Sequence, residues 1–275
     1  FFILFLFFSS SFAGMMGAMT GLGGGVIIVP ILILLLKINV QEAIATSLIA
    51  VIATSSGTFF ANAKKGFCND RIALFLCLAS VTGAFLGGSI SGIVSLPFIS
   101  FLFGGVLIHS AYVGLTNKVS EEGIIATNNS NTSAYLELHG TYASRTGRLK
   151  SYAAQHVGWG FFLMFIAGCL SSLLGIGSGS VKVLAMDKIM KLPFKVSTST
   201  SNFMIGVTAL AGVGFYSSEG FAHPYIVVPV VIGVVLGAVV GSRLIPYIDA
   251  VLLRKAFSVL ILMIGFRMIF NGMVS

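Results

Sequence analysis

Charge is what this sequence has least of. Only 9% of its 275 residues are Asp, Glu, Lys or Arg, against about 25% in an average soluble domain. So few charges cannot cover a surface that meets water on all sides. The few charges present lean basic, for a net +8. A basic balance can mark a nucleic-acid binder, but no basic stripe with interleaved aromatics occurs, so no nucleic acid is expected as a partner. Cysteine is scarce too: Cys68, Cys77 and Cys169 are odd in number and lack C-x-x-C spacing. That excludes a disulfide framework or a zinc site and leaves them as small packing residues. His109, His139, His156 and His223 have no ligand spacing, so no metal and no cofactor is expected. His109 alone lies in an apolar run, where it is either a proton relay or a packed, interfacial side chain.

What is abundant points to a bilayer. Hydrophobic residues make up 56% of the chain, with 33 Gly and 24 Phe and a mean hydropathy of +1.02. Glycine is commoner in membrane helices than in soluble ones. Apolar runs fall at 2–19, 22–36, 43–62, 72–92, 97–116, 157–174, 196–216, 222–242 and 252–272. Most approach the ~20 residues that span a membrane. Residues 1–8 have the apolarity of a signal core but no basic stretch before them, so they read as the start of a membrane segment. The runs after Gly25 and Gly179 are poor spans. The first ends early at Lys37, and the second contains Lys182, Asp187 and Lys188.

Residues 117–155 break the pattern and read as a polar, flexible linker on the cytoplasmic side. The segments on either side repeat. A shift of 154 positions carries Gly21, Gly23 and Gly25 onto Gly175, Gly177 and Gly179. It also carries Lys37 onto Lys191, Thr46-Ser47 onto Thr200-Ser201, Thr54 onto Thr208, and Gly83-Ala84 and Gly87 onto Gly237-Ala238 and Gly241. One register through every landmark predicts three parts: a first membrane repeat at 1–116, the linker at 117–155, and a second repeat at 156–275.

Charge predicts how the repeats are related. The loop holding Lys64, Lys65 and Arg71 is basic, whereas its counterpart at 217–223 carries Glu219 and no Lys or Arg. The second half is instead basic at Lys188, Lys191, Lys195, Arg243, Arg254 and Lys255. One orientation puts every Lys and Arg inside except Lys37, Lys182 and Arg267, which requires halves of opposite topology. Parallel halves are the alternative. The expected fold is thus an all-α polytopic membrane protein with an inverted-topology repeat. Each half has a Gly-broken helical hairpin plus three spanning helices, about eight membrane helices in all.

Paired broken elements in corresponding positions point to a transport site. Gly23, Gly24 and Gly25, with Gly177, Ser178 and Gly179, break the two hairpins. Their free backbone N–H groups would suit an anion; tight helix packing through small residues is the other reading. Thr46 and Ser47, with Thr200, Ser201 and Asn202, offer hydroxyl and amide donors without a full charge. Singly, such residues also serve as interhelical bonds or caps. Lys182 either attracts an anion or snorkels to the face beside Asp187 and Lys188.

These residues resemble the TauE/SafE family, membrane proteins described as sulfite exporters and probable membrane transporters. The likeness rests on Gly21-Leu22-Gly23-Gly24-Gly25 with Val29-Pro30, then Ala45-Thr46-Ser47-Leu48, then Gly83-Ala84-Phe85-Leu86-Gly87, and on their counterparts at 175–179, 199–202 and 237–241. It implies export of sulfite, sulfonates or related sulfur-containing anions. The second glycine element departs from the richer pattern, with Ser178 and Ser180 in place of glycines and no proline after Val183. The expected function is therefore a secondary transporter of a small anion, multi-pass in the cell membrane, working by alternating access and not an enzyme. Glycine-rich helix faces permit a homodimer. The alternatives are an intramembrane serine hydrolase using Ser178 and a non-transporting accessory membrane protein.

Overall fold

A computed structural model describes residues 2–20, 23–63, 68–116, 138–143, 149–244 and 250–274. The first half runs α1 (Phe2–Thr20), α2 (Gly25–Pro30, continued by a π-turn at Ile31–Leu35), α3 (Val40–Ala63), α4 (Asp70–Ser91) and α5 (Leu96–Thr116). Two strands follow, β1 (His139–Ala143) and β2 (Leu149–Ala153). The second half runs α6 (Val157–Leu174), α7 (Gly179–Leu184, continued by a π-turn at Ala185–Ile189), α8 (Phe194–Ser218), α9 (Pro224–Leu244) and α10 (Ala250–Val274).

Local chemistry sets these boundaries. The Asn69 side chain caps α4, accepting from Ile72 N at 3.1 Å. Glycine turns separate α1 from α2 and α6 from α7, with Gly23 at φ +79°, Gly175 at +68° and Gly177 at +69°. The arms after these turns are half-length. Six α-helical and five π-helical residues rise only about 16 Å at ~1.5 Å each, half of a ~30 Å hydrocarbon core. Pro30 precedes the first π-turn, but Leu184 stands in the same place before the second. Proline is therefore not its cause. Both arms end on a left-handed lysine, Lys37 at φ 51° and Lys191 at φ 52°.

The interior holds many polar side chains, and large apolar ones face outward. Thr46, Ser47, Thr54, Ser80, Ser171, Ser172, Thr200, Ser201 and Thr208 are buried, while Phe8, Leu78, Phe85, Trp159 and Phe270 are exposed. An outer surface this rich in large apolar side chains suits a lipid surround. Among the described residues, five helices contain stretches long and apolar enough to cross a membrane: Val40–Gly57, Asp70–Ser91, Val157–Leu174, Pro224–Gly241 and Lys255–Met273. Phe2–Ala18, Gly25–Leu35 and Pro97–Val113 are shorter apolar helices. The protein is an all-α polytopic membrane protein apart from its small hairpin.

Helix contacts come in exchanged pairs. α1 packs on α9 as α6 packs on α4, and α3 packs on α9 as α8 packs on α4. α3 also packs on α8, and α5 on α10. Glycines make the first seams close. Any Cβ at Gly83 or Gly87 would run into the α6 backbone at Phe165 and Cys169. Gly237 and Gly241 meet the α1 backbone at Ser11 and Met15 in the same way. Small residues that let helix backbones approach are the usual membrane solution.

One expectation needs correcting. Part of 117–155 is ordered, where the sequence reading gives only a flexible linker. β1 and β2 pair antiparallel, His139 opposite Ala153. Leu138, Tyr152 and Ala154 are buried against Ile72, Met190 and their neighbours. Gln155 N donates to Met190 O at 3.0 Å, and Asn69 Nδ2 donates to His139 O at 3.1 Å and to Tyr152 Oη at 3.0 Å. A two-stranded hairpin is marginal by itself, so this one depends on the helices beneath it.

Candidate functional site

The two glycine turns meet at the α3–α8 pair. A Cβ at Gly25 would lie 2.6 Å from Gly175 O, 2.7 Å from the Val51 side chain and 2.8 Å from Ser47 Oγ. From the other side, a Cβ at Gly177 would lie 3.0 Å from both Val51 and Ile205. The turns are thus in van der Waals contact through Val51 on α3 and Ile205 on α8, residues related by the same 154-position shift. Gly23, Gly24, Gly25, Gly177, Ser178 and Gly179 are all buried there.

Two side chains of the Thr-Ser segments, Ser47 and Ser201, reach this contact. Ser47 Oγ donates to Gly175 O at 2.7 Å, a bond between the halves. Ser201 Oγ donates to Gly179 O at 3.4 Å. Thr200 Oγ1 accepts from Asn69 N at 3.3 Å, which ties α8 to the start of α4. Asn202 is 4% exposed on the same helix. The hydroxyls of Thr46, Ser171, Ser172 and Ser199 are buried without a hydrogen-bond partner among the described residues. Leaving such a group unpaired costs about 1–3 kcal/mol. Thr46 and Ser199 lie on the two central helices, and Ser171 and Ser172 immediately precede the second turn.

Lys182 does not snorkel. Its side chain is fully buried, whereas Asp187 and Lys188 pair with each other at 3.6 Å on a partly exposed stretch. A helical side chain points back toward its helix N-terminus, here toward the glycine turn. Lys182 Nζ donates to Thr208 Oγ1 at 2.7 Å and to Met204 O at 3.3 Å. Thr208 Oγ1 gives its own proton to Met204 O at 2.6 Å, which leaves it to accept from Ser80 Oγ at 3.0 Å. This network joins α7, α8 and α4. Its first-half counterpart is absent, because Ile28 stands where Lys182 does and Thr54 bonds its own helix at Ala50 O and Val51 O.

The sequence singled out Thr208 only as the partner of Thr54, and it gave no sign of Ser80, Asn69, Val51 or Ile205. Val51 and Ile205 share the register of Thr46-Ser47, so the repeat could have exposed them. Ser80 and Asn69 are joined to the site only by folding.

Space in the site is small. A cavity beside the second turn, lined by Ser110, Ser178, Ser180, Val26, Leu107 and Ile261 among others, has room of about 10 Å3, enough for roughly one water. Ser110 and Ser180 hydrogen-bond at 2.8 Å on its wall. That cavity has no room for an anion. A hydrolase reading of Ser178 finds no support, because its hydroxyl donates to Ala167 O and no histidine contacts it among the described residues. Cys68, in the loop before α4, is pushed up to about 11 by burial first and then by the Asp70 charge, so at neutral pH it is an unreactive thiol.

Comparison with known proteins now bears on this arrangement. The family described as "Sulfite exporter TauE/SafE" matches residues 6–268, nearly the whole chain. The chain belongs to the TauE/SafE family. It is similar to the probable membrane transporter protein YunE of Bacillus subtilis, 26% identical over 270 residues covering 96% of each chain. It is also similar to the probable membrane transporter protein YdhB of the same organism, 24% identical over 254 residues, 92% of this chain and 93% of that one. It is similar as well to the probable membrane transporter protein MJ0441 of Methanocaldococcus jannaschii, 23% identical over 243 residues, 84% of this chain and 80% of that one. No solved structure matches. As a TauE/SafE member with several apolar helices, the protein is an integral, multi-pass membrane protein.

Proposed function

We propose that the protein is a secondary transporter that exports sulfite, sulfonates or related small sulfur-containing anions across the cell membrane by alternating access. Its halves, 1–116 and 156–275, are an inverted-topology repeat joined by the cytoplasmic segment 117–155. The observation that carries this reading is the meeting of both glycine turns on the α3–α8 pair, where Ser47 of one half bonds Gly175 of the other. Broken elements at equivalent positions, facing each other across a pseudo-twofold axis, form the transport site in such repeats. The exchanged helix contacts support the axis, and the swapped basic loops support its orientation in the membrane plane.

The anion sits between the turns, bound by Gly23–Gly25, Gly177–Gly179, Thr46, Ser47, Thr200, Ser201 and Asn202, with Lys182 supplying positive charge. In the closed arrangement Ser47 holds Gly175 O and Gly25 abuts it. Opening to either side separates these contacts and frees hydroxyl donors for the substrate.

Uptake of labelled sulfite, sulfate, taurine and sulfoacetate into proteoliposomes tests the reading, with Thr46→Val/Thr200→Val as the comparison. Saturable flux of a sulfur-containing anion, lost in the folded double variant, is the expected result. Absence of flux for all four, with folded protein in both orientations, would overturn the sulfur-anion assignment.

A further inference from the structure

Lys182 is a buried lysine with no counter-charge among the described residues. Among the described residues it is the one Lys, Arg, Asp or Glu side chain that is fully buried. Among the described residues, every element packed around it is neutral where it faces the lysine. α8 presents Met204 O and Thr208, and α4 presents Ser80 and the Cys77 thiol. Helix α6 contains no Asp, Glu, Lys, Arg or His at all. α5 meets α7 through Ser110 and Ser180, and its His109 is exposed. On its own element the nearest charges are Asp187 and Lys188, which pair with each other nearer the solvent.

An ammonium sealed from water among hydroxyls and carbonyls is not neutralised by them, and its burial is costly. Two arrangements avoid that cost. A neutral amine has two N–H bonds, and the structure supplies two acceptors, Thr208 Oγ1 and Met204 O. An ammonium has a third N–H and a positive charge, and both are satisfied by an anion arriving beside it. The proton and the anion therefore stabilise each other's presence.

We propose that Lys182 couples anion transport to a proton. It takes one proton from water as the anion binds at the glycine turns and returns it to water on the opposite side as the anion leaves. This rests on the transporter reading above. Because Ile28 occupies the matching position in the first half, the coupling is one-sided and carries one proton per cycle, not two. A monovalent anion then crosses without net charge, and a divalent one carries a single negative charge.

The test uses the whole protein in proteoliposomes holding a pH-reporting dye. The anions are sulfite, sulfate and isethionate, the last a sulfonate that does not itself titrate near neutral pH. Wild-type flux is expected to bring in one proton per anion and to fall by up to about tenfold per unit rise in pH, the limit for a single titrating proton. Lys182→Met should lose both proton movement and net flux. Should that variant fail to fold, Lys182→Arg decides, since its charge is permanent. It is expected to retain anion-for-anion exchange and lose net, proton-coupled flux. Wild-type flux without proton movement or pH dependence would overturn the coupling and leave the transporter standing, as would Lys182→Arg with an unchanged net rate and proton ratio. No flux of any of the three would remove the transporter reading, and the coupling with it.

Discussion

Thr46 and Thr200 occupy matching positions in the two halves but do different work. Thr200 accepts from Asn69 N, while Thr46 has no hydrogen-bond partner among the described residues. Ser47, one residue on, is committed to Gly175 O. The three therefore respond differently to loss of the hydroxyl. Thr46→Val keeps the shape and removes a buried unpaired group, so it should stabilise the detergent-solubilised protein by about 1 kcal/mol while lowering flux. Ser47→Ala should cost about 1 kcal/mol, because it leaves Gly175 O without this donor. Thermal unfolding of the two variants separates them. A fall in the midpoint for Thr46→Val would mean that its hydroxyl is structural. Residue types and spacing had marked Thr46, Ser47, Thr200, Ser201 and Asn202 as a group. Which hydroxyl is free and which is spent on the fold depends on neighbours more than a hundred positions away.

The helix seams are the clearest element-scale feature. Gly83 and Gly87 on α4 let α6 approach, and Gly237 and Gly241 on α9 do the same for α1. A valine at either Gly83 or Gly237 would have to displace backbone, not a flexible side-chain end. Overpacking against fixed atoms costs about 1–3 kcal/mol or more. Gly83→Val and Gly237→Val should therefore lower the yield of monodisperse protein on size exclusion to a similar degree. A neutral result at one position and loss at the other would show that the two seams are not equivalent. The small-residue pattern of these helices was readable in the sequence, as were the broken hairpins, because glycine leaves a local mark. The β1–β2 hairpin was not readable. Its strands are five residues each in a polar stretch, and what stabilises them is burial of Leu138 and Tyr152 against distant helices.

For the whole molecule, the proposed inverted repeat has a consequence for topology. Helix contacts and glycine seams both recur when the halves are swapped. If the repeat is inverted, equivalent loops lie on opposite faces. Single cysteines in place of Lys65 and Glu219, with the three native cysteines replaced, should then react with a membrane-impermeant maleimide from opposite sides of the membrane. Labelling of both from one side would overturn the inverted topology and, with it, alternating access about an in-plane axis.

By itself the sequence determined the membrane class, the two glycine breaks and the polar composition of the central helices. Each follows from hydropathy, glycine placement or spacing, which are local properties. Only the tertiary structure decided that the glycine turns touch through Val51 and Ile205. It also decided that Lys182 turns inward to Thr208 instead of outward to Asp187. A lysine in a short polar arm can reach either way, and its sequence neighbours favoured the surface. The choice was made by α8 and α4, whose hydroxyls and carbonyl meet it from elements that the linear order keeps apart.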